Sequence, residues 1–206
     1  MYIDFNATEP SVKSEIAQII APSGAYFVEG AVLGAIGVTG ARTEILLGGP
    51  HGERAARVLS DELGLNVRFY SEEIGRASTF KLLRSVFSKG MEALLIEFLV
   101  AGERAGIRED LWREVTELFE ANPFEKVTAN WLCSHAVAHE RRHHEMVDVA
   151  AVLRRLGVDP VMTDATVSMF ARSVELGMKD AFASRPERMD ELIRFLEQRS
   201  RLKDQG

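Results

Sequence analysis

The chain has 206 residues, with 31 acidic against 25 basic side chains and a net charge of −6; 46% of its residues are hydrophobic and 27% charged. This is globular composition for one domain or two small ones, and the acidic excess argues against a nucleic-acid binder. A single cysteine, Cys133, excludes an internal disulfide framework and fits the cytoplasm; no signal peptide is visible, and the richest apolar run, Met91–Val100, is broken by Glu92 and Glu97, so no membrane span is expected.

In chain order, Tyr2–Phe5 reads as a strand. Pro10 stands where a first-turn helix proline belongs, with Asn6 or Thr8 able to cap, and Val12, Ile16, Ile19 and Ile20 recur at helical spacing. Gly24 ends that helix and Ala25–Val28 forms a second strand. The glycine-rich connection Gly34–Gly40 is too short for a helix. Thr43–Leu47 is a third strand, Glu53–Leu63 a helix, and Asn66–Tyr70 a fourth strand. From Gly75 the pattern turns helical throughout. A long helix is predicted over Ala77–Ala105, with Leu83, Phe87, Leu94, Phe98 and Leu99 as its apolar stripe. Further helices are predicted over Glu109–Phe119, from about Ala129 to Gly157, over Asp164–Leu176, and from Glu187 to about Leu202. The fold class is therefore an α/β, partial Rossmann-like sheet (residues 1–74) followed by an all-α helical domain (75–206) that opens with a long interdomain helix.

Four groups of residues could carry chemistry. Lys81 is flanked by Phe80, Leu82 and Leu83, and apolar surroundings push a lysine toward the neutral amine that proton transfer needs. Ser85 lies one turn on, on the same face; taken alone, such a lysine is more often solvated surface. Asn6 and Thr8 lie between a strand end and a helix start, where open α/β sheets bind ligands, though taken alone such residues are more often simple helix caps. The Gly34–Gly40 loop lacks the G-x-G-x-x-G spacing and suits a close approach to a ligand rather than a phosphate cradle. Finally, His139-Glu140-Arg141-Arg142-His143 spells H-E-x-x-H, but two arginines between the histidines oppose a nearby Zn²⁺. On a helical wheel His135, His139 and His143 line up with Leu132, Met146, Ala150 and Leu153, with Arg142 at the edge. That stripe reads as a satisfied helix interface, as a ligand pocket of Arg142 and imidazoles, or as a metal site.

Together these segments resemble the β-hydroxyacid dehydrogenases, the family of 3-hydroxyisobutyrate dehydrogenase and a relative of phosphogluconate dehydrogenase. Asp4–Pro10 resembles their D-x-S-T-x-x-P segment. Glu29-Gly30-Ala31-Val32-Leu33-Gly34-Ala35 is similar to their D-x-P-V-S-G-G turn, and Gly75–Lys81 to the segment with their catalytic lysine. The helical half looks closest to a branch with a phosphogluconate-dehydrogenase-like C-terminal domain. The resemblance implies an NAD- or NADP-dependent oxidoreductase of a small hydroxy acid, without a metal, paired as a homodimer through the helical domain. It implies that Lys81 handles the substrate proton and that Asn6 and Ala7 hold the substrate carboxylate, with Asn6 also beside the cofactor. Gly34 and Ala35 present backbone N–H groups to the substrate, and Ser85 stands for a substrate-binding Asn. Arg142 or His143 replaces a lysine of the later helix.

The sequence departs from the family at Ala7, Leu33 and Ser85. The family's G-x-G-x-x-G half does not occur in this sequence, so the chain is expected to be inactive alone and Tyr2–Phe5 to be an inner strand of a larger sheet. A non-catalytic helical dimerisation module and a zinc hydrolase built on His139, Glu140 and His143 are the alternatives.

Overall fold

The computed structural model describes residues 1–34 and 36–203, which form two compact units, Met1–Met91 and Glu92–Gly206. The first unit contains β1 (Tyr2–Asp4), α1 (Pro10–Ile20), β2 (Phe27–Leu33), α2 (Ile36–Thr39), β3 (Glu44–Gly48), α3 (Gly52–Asp61), β4 (Val67–Ser71) and the first half of α4 (Arg76–Ala105). The strands order as β1-β2-β3-β4. The outer pairs are parallel and the central β2–β3 pair antiparallel. Parallel neighbours need a long crossover, and α1 and α3 supply it; the short segment between β2 and β3 only permits a reversal. Among the described residues β1 stands at one edge of the sheet, with one side unpaired, as expected of a strand whose further neighbours would belong to a larger sheet.

Alternation along the strands gives the sheet two buried faces. Val28 and Leu47 pack with Ala55 of α3 on one side, while Ala31 and Leu46 pack with Ala77 of α4 on the other. The segment expected to be a bare loop holds one helical turn, Ile36–Thr39, and a 3₁₀ turn, Gly40–Arg42, closed where the Thr43 hydroxyl donates to Gly40 O at 2.8 Å.

The second unit holds α5 (Arg108–Ala121), α6 (Phe124–Arg155), α7 (Val161–Glu175), α8 (Met178–Ala181) and α9 (Met189–Lys203). Helix α6 starts directly after Pro123, five residues earlier than predicted, because proline's fixed φ suits a helix entrance. Ala136, Met178 and Leu192 form a core that Leu132, Phe182 and Phe195 complete. Glu97 is buried and accepts the Met162 (2.7 Å) and Thr163 (2.9 Å) N–H groups, satisfying the free donors at the start of α7. Of the α4 stripe predicted as core, Leu83, Phe87 and Leu94 are exposed, at 65%, 57% and 43% of their surface, while Phe98 and Leu99 are half-buried. Among the described residues no helix is long and apolar enough to cross a membrane.

Candidate active site

The first unit builds its site at the end of β1. Asp4 and Lys13 are both buried, and Lys13 Nζ donates to Asp4 Oδ2 (2.6 Å), Asp4 O (3.2 Å) and Asn6 O (2.6 Å). The three N–H groups of the ammonium thus meet three acceptors, as a buried charge requires. Asp4 Oδ1 accepts from the Asn6 backbone N–H (3.1 Å) and from Asn6 Nδ2 (2.6 Å). Burial alone would raise the Asp4 pKa, but Lys13 and the two Asn6 donors outweigh it and hold the carboxyl below its ordinary range. Asn6 is therefore pinned from both of its polar ends, while Ala7 beside it is exposed. Thr8 Oγ1 is buried without a hydrogen-bond partner among the described residues.

Lys81 lies on α4 and is half-buried. Burial first, and the charge of Lys13 second, lower its pKa, which favours the neutral amine. The Ser85 hydroxyl donates to Lys81 O at 3.1 Å, so in this structure it serves its own helix. Asn6 and Lys81, far apart in sequence, are thus linked through Lys13. Gly34 directly follows β2 at φ +130°, a conformation that favours glycine. Ala35 lies outside the described residues.

Glu29 sets where α4 begins. Its fully buried carboxylate accepts the Gly75 and Ala77 N–H groups, each at 2.9 Å, and the Ser78 hydroxyl at 2.8 Å. This is a helix N-terminal cap delivered from another strand, and it anchors the helix that carries Lys81. It faces Gly48 across the β2–β3 pair, where a Cβ would lie 2.9 Å from Glu29 Cγ and overlap the carboxylate. The sequence reading missed the roles of both Glu29 and Lys13. A signal existed for Lys13, which shares a helix face with Ile16 and Ile20 (i+3 and i+7).

In the second unit the histidine stripe is only partly buried. His135 and His139 are buried, whereas His143 is half-exposed. His135 Nε2 is 3.0 Å from Ser173 Oγ, and its ring lies 4.6 Å from Phe170. Burial first, then the charge of Arg142, lower its pKa from 6.5 to about 4, so it is neutral at pH 7. Arg142 donates to Trp131 O and Ser134 Oγ and lines one cavity with His135; His143 lines another hollow with Glu140 and His144. The structure thus brings Arg142 together with one imidazole and separates it from His143. Glu140 receives Lys179 at 3.1 Å, and among the described residues no three His, Cys, Asp or Glu side chains converge as metal ligands, so the H-E-x-x-H spelling does not assemble a zinc centre there.

Residues 103–173 match the family model described as a domain of unknown function, DUF1932. A curated protein of Methanothermus fervidus, described as an uncharacterized 28.5 kDa protein in the 7S RNA 5′ region, is 24% identical over 170 residues, 82% of this chain and 64% of its own length. A solved protein of unknown function, described as structurally similar to 3-hydroxyacid dehydrogenases, is 32% identical; the match covers 87% of this chain and 66% of that one, with a TM-score of 0.51. An imine reductase from Myxococcus stipitatus, solved with NADP+, shares the fold at a TM-score of 0.72 and 16% identity, over 94% of this chain and 72% of that one. The chain spans 64% of the curated relative and 66% of the 32%-identical solved protein, just under two thirds of each. Its similarity to DUF1932 covers residues 103–173, and its structural neighbours include a protein described as structurally similar to 3-hydroxyacid dehydrogenases, and imine reductases.

Proposed function

We propose that this chain, a 3-hydroxyacid dehydrogenase-like protein by its neighbours, supplies the substrate side and the proton-transfer residue of an NAD(P)-dependent oxidoreductase acting on a small hydroxy acid. The observation that carries this reading is Lys81: a half-buried amine whose pKa is lowered by burial and then by the charge of Lys13. In the oxidising direction the neutral Lys81 amine takes the proton of the substrate hydroxyl, and in the reducing direction the ammonium returns it. Asn6, held by Asp4 and Lys13, is pre-set to orient the substrate carboxylate with the backbone of Ala7. Gly34 and Ala35 offer N–H groups to the same substrate.

The residues fit one end of a dinucleotide. The orphaned hydroxyl of Thr8, next to the pinned Asn6, is a buried polar group in need of a partner, as the rim of a nicotinamide site requires. When bound, the nicotinamide supplies hydride transfer. No G-x-G-x-x-G spacing occurs in the chain, so we expect the chain alone to bind the pyrophosphate weakly and to be inactive. The exposed Leu83, Val86 and Phe87 of α4 fit pairing with a second copy through the helical part, and they also suit the runner-up reading, a dimerisation module without catalysis.

The test joins the chain to a dinucleotide-binding half. Activity should appear, and Lys81→Ala should lower kcat by about 10²–10⁴-fold. Near-normal turnover of that variant, or no activity in the joined protein, defeats the proposal. Tight NAD(P)H binding by the chain alone, followed by fluorescence titration, would contradict its expected inactivity.

A further inference from the structure

The second unit encloses a cavity of about 480 Å³ between α6, α7 and α9. That size falls within the roughly 300–1,000 Å³ of small-molecule sites. Leu132, Phe170, Leu176, Leu192 and Leu196 supply its apolar walls, and among the described residues the charged ones lining it are Arg142 and Arg172. We infer that this cavity binds a small amphipathic carboxylate, an apolar body with one planar anionic end. This goes beyond the proposed reaction, and none of Asn6, Gly34, Lys81 or Ser85 lines the cavity.

Three observations select that ligand class. First, two guanidiniums, with no acidic residue in the lining among the described residues, make the site electropositive, and a planar guanidinium fork matches a carboxylate. Second, His135 adds no charge near pH 7 and is engaged with Ser173, so the wall it forms is neutral and hydrogen-bonded. A strongly polar ligand would find few further partners there and would lose its hydration without compensation. Third, Arg142 is half-buried and held in place by Trp131 O (3.0 Å) and Ser134 Oγ (2.7 Å), a pre-set donor rather than a mobile surface cation.

The experiment titrates the chain, labelled at leucine methyl groups, with octanoate, 1-octanol and octylamine at pH 7.5, and follows Leu132, Leu192 and Leu196 by NMR. Octanoate should shift these methyls saturably and bind at least tenfold more tightly than octylamine. Arg142→Met and Arg172→Met should each weaken octanoate about tenfold, equivalent to ~1.4 kcal/mol, and leave octanol unchanged. Should either variant melt early by circular dichroism, the Arg→Gln counterpart takes its place. Equal binding of octanoate and octanol, no saturable binding of octanoate, or methyl shifts that follow protein concentration because a second copy fills the cavity would each overturn the inference.

Discussion

Replacing Lys13 by methionine tests the Asp4–Lys13 pair on which the site rests. The substitution keeps an unbranched chain in the same space but leaves the Asp4 carboxylate, 2% exposed, without its cation, and removes three hydrogen bonds. Breaking a buried ion pair from one side costs about 3–5 kcal/mol. With a urea dependence of about 2 kcal/mol per M, the midpoint of the first unit should fall by roughly 2 M. All three tyrosines, Tyr2, Tyr26 and Tyr70, lie in that unit and both tryptophans in the other, so fluorotyrosine NMR reads the first unit alone. The double variant Asp4→Asn/Lys13→Met removes both charges and should recover most of the loss, exposing the coupling as a double-mutant cycle. The acid limb adds a sign. Because Asp4 titrates below 3.8 when folded, the pair's stabilisation is present above pH 3.8 and disappears as pH falls through the lower folded value; Lys13→Met should flatten that slope. The Lys81 amine should titrate higher in Lys13→Met, having lost a neighbouring positive charge. A midpoint change below about 0.5 M, with no movement of Lys81, would refute the reasoning.

Glu29→Ala strips the buried start of α4 of its acceptor, leaving two N–H groups and one hydroxyl unpaired, and should cost about 3–5 kcal/mol; Glu29→Gln keeps one oxygen and should cost about 1–2 kcal/mol. Amide exchange at Gly75 and Ala77 should accelerate in the same order, and equal exchange in both variants would count against the cap. His135 predicts a pH effect in the second unit. Its folded pKa of about 4 lies below the unfolded 6.5, so the unfolded state binds the proton first and stability falls by about 3 kcal/mol as pH drops from 6.5 to 4. Urea midpoints read from Trp112 and Trp131 should show this slope in the natural protein and not in His135→Gln.

The order of elements was legible because strand and helix periods differ, and glycine or proline stands near most boundaries. Strand direction was not, since a period of two reads the same both ways, and only the short β2–β3 connection decides it. The buried His135, His139, Ala150 and Leu153 followed from helical spacing, but which imidazole meets Arg142 depends on α7 packing against α6, which spacing on one helix does not contain. Lys81 was legible as a candidate from its apolar neighbours. Its lowered pKa comes first from burial and second from Lys13, and both reach it only through the fold. Glu29 read as an ordinary acid in a strand because its partners lie 46 to 49 residues away.

The Glu29–Gly48 contact also constrains how this protein can change over generations. Glu29 cannot swing aside to admit a side chain at position 48, because three hydrogen bonds hold it. A side chain at position 48 therefore displaces the Glu29 carboxylate from its partners, and alanine there is best tolerated with a shorter aspartate at 29. Across descendants of this sequence, position 48 should leave glycine only where position 29 has changed as well. A lineage that lost both would lose the anchor of α4, and with it the reason for Lys81 to stay a lysine.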